Sequence, residues 1–414
     1  MKKMWIAAVL SLCVLASGCS APHLSEEFHL ADGSIPMPEI TPAPTVAPEM
    51  QESALMQPQQ CVGEIVYQPE RVPNALADQQ DFSQGLYVML ADSIRVGADS
   101  VDLGEMQVTD AQFEAVRRAL LNRNPWGTLS DIARGEGAQI LLTYTLQDAQ
   151  ERTAQAQRFD ETAYYLLQST VKPEYTQLSA ALALYKTVAQ TVQVDNEAED
   201  TGLYGALVQG TATDYALAYA YSFLLDQAGI DNVVITAEDG SHAWNVLTIG
   251  DMSFHCDAQM ESGLNGGQAL QGFGLSDADV ARINGWNTWS SENSQLITCS
   301  ESLMPELTQA SCADVDAAGN AVYFAQLEGQ SGVYRLDLSS GSVLQITDAP
   351  VRSVAVLGEN LYYLTEAGVL MCRDIQGGQE REALEGVAVE SMSRRVAVLN
   401  YICQDGTEGS FSLE

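Results

Sequence analysis

The segment from residue 210 to residue 257 constrains the fold of this chain most, because an apolar helix is followed there by three short strands. The helix is predicted to begin just after Gly210, and its apolar positions continue at helical spacing until Gly229. Short apolar runs predict strands at 233–235, 241–246 and 254–257. One helix followed by several strands indicates an α+β domain.

Several motifs in and after this segment resemble those of the transglutaminase-like superfamily. The helix start G-T-A-T-D-Y-A, the strand S-H-A-W-N and the strand end F-H-C-D occur in the order of that family. Gly229-Ile230 after the helix, and Phe273-x-Leu275-Ser276-Asp277 followed by Gly285-Trp286, extend the resemblance over about residues 177–300. The resemblance implies a transglutaminase-like, papain-like fold of a kind found in surface lipoproteins of Firmicutes.

The resemblance also implies a site with one part missing. In the family a cysteine at the first turn of the helix attacks the substrate, a histidine shares its proton, and an aspartate fixes the histidine tautomer. His242 and Asp257 match the histidine and the aspartate, but Ala212 stands at the position of the cysteine. A methyl group cannot attack a carbonyl carbon. The resemblance therefore implies a catalytically inactive domain that serves as a binding or scaffold module.

An active acyl-transfer enzyme or peptidase with another nucleophile is the alternative. Thr211 and Thr213 carry hydroxyl groups, but a threonine within the chain lacks the free amine that activates threonine nucleophiles. Cys256 precedes Asp257 on a strand, so its side chain is expected on the opposite face, whereas His255 shares the face of Asp257. The residues expected at the cleft are Thr211, Thr213, Asp214, Trp244 and His255.

The first residues have the order of an export signal. Lys2 and Lys3 precede an apolar run at 4–16 that is too short to span a bilayer, and Ser17-Gly18-Cys19 follows. Small residues directly before a cysteine resemble a bacterial lipobox, in which the cysteine is lipidated. An ordinary signal peptide with a coincidental cysteine is the alternative. The sequence thus predicts a signal peptide at 1–19 and lipidation at Cys19.

Composition narrows the location and the partners. Residues 20–60 are rich in proline and poor in core-forming residues, which predicts a disordered tether. The chain carries 19 Lys+Arg against 55 Asp+Glu, a formal net charge of -36, which excludes nucleic acid as a partner. We expect a lipid-anchored protein on the extracellular face of the cytoplasmic membrane, at the bacterial cell surface.

Its ligand is expected to be a peptide, a protein or a cell-wall fragment, and no pattern indicates a cofactor.

Three folded regions are expected after the tether: an α+β region at 61–170, the transglutaminase-like domain at 171–312 and a β-rich repeat domain at 313–414. Ahead of the central segment, the sequence predicts a strand at 63–67, helices at 82–94, 109–121, 148–170 and 174–192, and a strand at 139–146.

The last hundred residues indicate a repeat. Short tyrosine-containing β segments recur there at a period of about 40 residues, which resembles the blades of β-propellers. A closed propeller needs at least about four blades, more than this length can supply. We therefore expect an open β array that can be separated from the central domain near residue 312.

The cysteines and histidines indicate no metal site. Six cysteines follow Cys19, and none forms a C-x-x-C pair. Only four histidines are present and none lies in an H-E-x-x-H pattern, so no structural zinc is expected. Free thiols are expected, with a disulfide between Cys299 and Cys312 as the alternative.

Membrane retention is predicted to depend on Cys19. Because the strongly acidic surface is repelled by anionic lipids, the lipid on this cysteine is the only anchor that the sequence offers. Cys19→Ala should move the protein from the membrane fraction to the soluble fraction of cells. A variant that stays as membrane-bound as the wild type would contradict the lipoprotein hypothesis.

Overall fold

The structure, a computed structural model, describes residues 60–197, 202–262, 270–316, 319–327, 329–395 and 398–412. The predicted signal peptide, Cys19 and the proline-rich segment up to residue 59 lie outside these ranges. Within them, no helix is long and apolar enough to cross a membrane.

The region before residue 171 combines four helices with a small antiparallel sheet. Its elements are α1 (Asn74–Ala77), α2 (Gln84–Arg95), β1 (Ser100–Asp102), α3 (Asp110–Arg123), β2 (Leu129–Arg134), β3 (Gln139–Tyr144) and α4 (Ala149–Thr170). The strands lie in the order β1-β3-β2. The predicted helices are confirmed. At the start of α3, the Thr109 hydroxyl accepts the Gln112 N–H and the Gln112 side chain accepts the Thr109 N–H, which is the capping box that the sequence indicates.

The predicted strand at 63–67 is wrong. The backbone there bonds to a loop instead of a sheet, because Val62 and Gly63 donate their N–H groups to the carbonyls of Tyr175 and Pro173. Gly63 also adopts a φ of 69°, which breaks an extended strand. A single bridge between Cys61 and Thr176 is the only strand-like pairing recorded here within the described residues.

The central region places a buried helix against a five-stranded antiparallel sheet. Its elements are α5 (Gln177–Thr191), β4 (Gln193–Val194), α6 (Gly202–Tyr204), β5 (Thr211–Ala212), α7 (Asp214–Gln227), β6 (Asp231–Ala237), β7 (Ala243–Ile249), β8 (Met252–Cys256), β9 (Phe273–Leu275), α8 (Asp277–Asn284) and β10 (Trp289–Ser291). The sheet order is β10-β6-β7-β8-β9, and β4 pairs in parallel with β5. The predicted helix and three strands of this segment are confirmed.

Helix α7 is buried along nearly its whole length because it packs against β6, β7 and α5. The Tyr221 hydroxyl on α7 donates to the Ala181 carbonyl of α5 at 2.9 Å, and the rings of Tyr221 and Tyr185 meet edge to face. This packing fixes the start of α7, where the site residues lie.

The C-terminal region is a row of three antiparallel sheets. The first contains β11 (Cys312–Val315), β12 (Ala321–Leu327), β13 (Gln330–Asp337) and β14 (Val343–Thr347); the second contains β15 (Val351–Leu357), β16 (Asn360–Thr365), β17 (Leu370–Asp374) and β18 (Arg381–Glu382); the third contains β19 (Val389–Arg395), β20 (Val398–Cys403) and β21 (Glu408–Ser412). Their first strands begin at Cys312, Val351 and Val389, which confirms the period of about 40 residues. The described strands form an open array and not a closed propeller.

The first of these sheets shares its core with the central region. Val315, Phe324, Tyr334 and Leu336 belong to the same apolar cluster as the buried residues of α5 and α7. The described residues accordingly belong to one compact unit. The boundary near residue 312 stays a prediction, but a chain cut there would expose this shared apolar surface to water.

Asp314 joins all three C-terminal sheets to helix α5. Its buried carboxylate contacts Lys186 of α5 and accepts two hydrogen bonds from Arg394 of β19, at 3.0 and 3.2 Å. It also accepts the N–H of Val356 on β15, at 2.8 Å. One side chain on β11 therefore bonds to both other sheets and to the central region.

Asp314→Asn is predicted to lower the free energy of unfolding by about 3–5 kcal/mol, because Lys186 would remain buried, and Arg394 half-buried beside it, without a counter-charge. The measurement is urea unfolding. Asp110→Asn is the matched control, since Asp110 pairs with Arg134 at an exposed position and such pairs contribute little. Equal effects of the two substitutions would contradict a buried charge cluster at Asp314.

Candidate functional site

The segment before α7 is held in place by a short parallel pairing. Thr211 and Ala212 of β5 pair with Gln193 and Val194 of β4. Thr213 then caps α7, because its hydroxyl accepts the N–H of Ala216 at 3.2 Å. Ala212 is buried, and Thr213 uses its hydroxyl as a cap, so neither residue presents a nucleophile to a substrate.

His242 lies between two carboxylates. Its Nδ1 is 2.8 Å from Asp214 Oδ2, and its Nε2 is 2.9 Å from Asp257 Oδ2. All three side chains are buried. The Asp257 contact is the one that the family resemblance implies. In a catalytic triad one ring nitrogen of the histidine bonds to an aspartate and the other faces the nucleophile. Here Asp214 bonds to the second nitrogen, Nδ1, as well.

Both carboxylates are oriented by the backbone. Oδ1 of Asp214 accepts the N–H of Tyr215 at 3.0 Å, and Oδ2 accepts the N–H of Ala243 at 3.3 Å. Oδ1 of Asp257 accepts the N–H of Gln259 at 3.1 Å, at the start of a short 3-10 turn. These bonds leave Oδ2 of each carboxylate directed at His242.

The two carboxylates keep His242 protonated. Burial by itself lowers the pKa of His242, but the hydrogen bonds to Asp214 and Asp257 and their negative charges outweigh burial and raise this pKa to about 9. At neutral pH both ring nitrogens therefore carry protons. An imidazolium ion cannot accept a proton from a nucleophile, so His242 lacks the property of a general base.

Two tryptophan rings cover His242. Trp286 stacks on His242 with ring centroids 4.7 Å apart, and it also stacks on Trp244 at 5.0 Å. Trp286 lies in the loop after α8 and is half-buried. A positive imidazolium against a tryptophan face is a favourable cation–π contact. The ring thereby both stabilises the charged form of His242 and separates it from solvent.

A second histidine lies on the same face of the sheet. His255 Nδ1 accepts the Nε1–H of Trp244 at 3.0 Å, and His255 Nε2 donates to Asp277 Oδ1 at 2.9 Å. His255 is fully buried, and burial lowers its pKa. Both contacts require the neutral form with the proton on Nε2. His255 is therefore a structural residue and does not line an open cleft.

His255, Asp277 and Cys299 could in principle hold a metal ion, because their ligand atoms lie within 4.8 Å of one another. The hydrogen bonds argue against it. A metal on Nε2 would move the ring proton to Nδ1, where it would face the N–H of Trp244. Burial, with the charge of Asp277, also raises the pKa of Cys299 to about 12, which disfavours the thiolate that metals bind.

The six cysteines among the described residues are free. Cys299 and Cys312 do not form the disulfide that the sequence left open. Cys256 is fully buried, and burial raises its pKa well above the ordinary value. It is thus an inert core thiol, as its place next to Asp257 on the strand indicates.

The structure brings Asp214, His242 and Asp257 together, with Trp244 and His255 adjacent to them. Sequence reasoning named Asp214 only as a cleft residue and did not identify it as the second partner of His242. It also missed the stacking of Trp286 and the bond from His255 to Asp277. The position of Asp214, two residues after Ala212 at the first turn of a helix, was the available signal.

No family model and no curated protein matches the sequence. Similar solved structures include a candidate cysteine protease from Cytophaga hutchinsonii, with 18% identity over 26% of this chain and 39% of that chain and a TM-score of 0.22. A candidate protease from Parabacteroides distasonis has 10% identity over 67% of this chain and 54% of that chain, with a TM-score of 0.24. BamB from Moraxella catarrhalis has 12% identity over 41% of this chain and 40% of that chain, with a TM-score of 0.22.

This chain spans less than two thirds of each of these proteins. TM-scores this low carry no argument about fold or activity.

Stability is predicted to fall between pH 6.5 and pH 9. An ordinary histidine in an unfolded chain titrates near pH 6.5, whereas the pKa of His242 in the folded chain is about 9. The stabilisation from protonated His242 is therefore complete below pH 6.5 and lost as the pH rises through 9, by roughly 2–3 kcal/mol. Chemical unfolding across this range measures it.

Asp214→Asn is the control for this titration. It removes one of the two charges on His242, so the histidine pKa seen by NMR should move down and the pH-dependent loss should shrink. Asp226, whose pKa burial raises to about 7, is present in both proteins, so its contribution cancels in the difference. Identical pH profiles for the two proteins would contradict the ion cluster.

Proposed function

We propose that this chain is a lipid-anchored surface protein whose transglutaminase-like domain is catalytically silent and serves as a binding or scaffold module. The observation that carries the proposal is the environment of His242. An alanine stands at the nucleophile position, and the histidine is held as a cation between Asp214 and Asp257 under Trp286.

The loss of activity in this proposal has two independent causes. Ala212 removes the attacking sulfur, and Asp214 occupies the ring nitrogen that would otherwise activate it. Restoring the cysteine alone therefore does not restore the catalytic pair. Both features favour a structural use of the charged cluster over an active site.

If the protein were an enzyme with another nucleophile, Cys299 would be the candidate thiol, because it lies beside His255 and Asp277. Its side chain is fully buried, and the pKa of its thiol is raised to about 12. His255 is also fully buried and uses both ring nitrogens in hydrogen bonds. A substrate carbonyl cannot reach this group without opening the domain.

The surface location in this proposal rests on Lys2, Lys3 and the lipobox-like segment that ends at Cys19. A protein anchored there would meet extracellular peptides and cell-wall fragments first. The membrane-fractionation experiment on Cys19→Ala tests this part separately from the question of catalysis.

The wild type should neither hydrolyse a glutamine-containing peptide nor join it to a fluorescent amine, as measured by ammonia release and by labelling of the peptide. Turnover that disappears in His242→Ala would refute the proposal. Cys299→Ala is the matched variant for the alternative, because turnover lost only in that protein would point to the other histidine.

Ala212→Cys is predicted to give a thiol with an ordinary or raised pKa, because Asp214 keeps the nearest imidazole nitrogen and burial opposes ionisation. In Ala212→Cys combined with Asp214→Asn, the charge opposite His242 is removed and the thiol pKa should fall. Thiolate absorbance as a function of pH, compared with the parent proteins, measures both values. A low thiol pKa in the single variant would show that Asp214 does not block the histidine.

A further inference from the structure

A polar cavity of about 410 Å³ lies beside α7, separate from the His242 site. It is bounded by α3, by the loop before α2, by one face of α7 and by the edge of the sheet at β6 and β10. None of Asp214, His242 and Asp257 lines it. Its lining combines apolar residues (Leu76, Phe82, Ala115, Ala119 and Leu121) with polar ones (Gln79, Asn122, Thr236, Ser290, Ser291 and Ser294).

Arg123 forms a buried, charged part of the lining. Its side chain is only 3% exposed, and its Nη2 pairs with Glu292 at 2.9 Å. The guanidinium also lies over the ring of Tyr219, 5.0 Å from the ring centroid. Its Nε is a buried N–H donor without a hydrogen-bond partner in the described part of the chain. The Nε has no accessible surface and is closed to a ligand, so the guanidinium serves to hold Glu292 and Tyr219 in the wall of the cavity.

Glu292 does not compete for that ligand. Its Oε1 accepts hydrogen bonds from Arg123 and from the N–H of Val234, each at 3.2 Å, and its Oε2 pairs with Arg123. The negative charge of Glu292 is therefore already neutralised by Arg123.

Arg118 supplies the remaining positive charge. It lines the cavity on the exposed side of α3, one turn before Asn122, and is in no ion pair of the described residues. The cavity thus has one cation that no group of the protein neutralises.

Tyr219 adds a further donor. Burial raises its pKa to about 12, so the phenol keeps its proton, and its oxygen already accepts a hydrogen bond from Asn122 at 3.1 Å. The phenol proton is therefore available to an acceptor in the cavity. Arg118 and Tyr219 thus both offer donors on the side of the cavity formed by α3 and α7.

We propose that this cavity binds the C-terminal carboxylate of a short peptide that carries an apolar side chain. One free cation and several neutral donors match a single negative charge, and the strongly acidic chain disfavours ligands with more charges. Leu76, Phe82 and Leu121 provide an apolar wall for a neighbouring side chain. The volume lies within the usual range for small-ligand sites. This inference deepens the proposed binding role and rests on it.

The test is titration of the full chain with N-acetyl-leucyl-alanine and with its C-terminal amide, followed by NMR or calorimetry. The free acid should bind with a Kd in the millimolar range or tighter. The Kd of the amide should be at least about tenfold higher, because the loss of one charge-assisted hydrogen bond weakens binding by about that factor. Arg118→Ala should weaken binding of the acid about tenfold and leave binding of the amide unchanged.

Arg158→Ala is the matched control, because Arg158 is exposed on α4, outside the cavity. Equal affinities for acid and amide, equal effects of Arg118→Ala and Arg158→Ala, or no binding of the acid at millimolar concentration would each overturn the proposal. If the acetylated peptide is bound and also cleaved, the proposal that the domain is catalytically silent is wrong, but the proposed carboxylate site is still supported.

Discussion

The ion cluster of Asp214, His242 and Asp257 links three parts of the central domain: the start of α7, the beginning of β7 and the end of β8. Two carboxylates this close together in a buried site would repel each other unless a positive charge lay between them. The protonated ring supplies that charge. Because each carboxylate takes one ring nitrogen of His242, the cluster is a static contact that holds these three elements together.

Much of this site could be predicted from residue order. The contact between His242 and Asp257 follows from the resemblance, and alternation along β8 correctly placed Cys256 in the core and His255 on the face of Asp257. The role of Asp214 could not be predicted, because an aspartate at the first turn of a helix commonly bonds to its own backbone or to water. Only the tertiary position of β7 brings His242 to it.

The same limit explains the errors in the fold. Local spacing predicted the long helices because each has its own apolar stripe. The segment at 63–67 has apolar residues but pairs with a loop around Tyr175, which no local pattern encodes. The shared core between β11 and α5 was missed for a similar reason, since the repeat pattern describes the sheets and says nothing about what covers the first of them.

Asp314 has a consequence for how this protein could change in length. In a row of similar sheets, a new unit can usually be inserted anywhere, since each unit contacts only its neighbours. Here the first strands of all three sheets converge on one carboxylate, and Lys186 of α5 fills the remaining side of it. Duplication within the row would move Arg394 out of reach and leave buried charges unpaired. The spacing between these three first strands is therefore fixed by electrostatics, and divergence among related chains should be concentrated in the outer strands, which do not touch this centre.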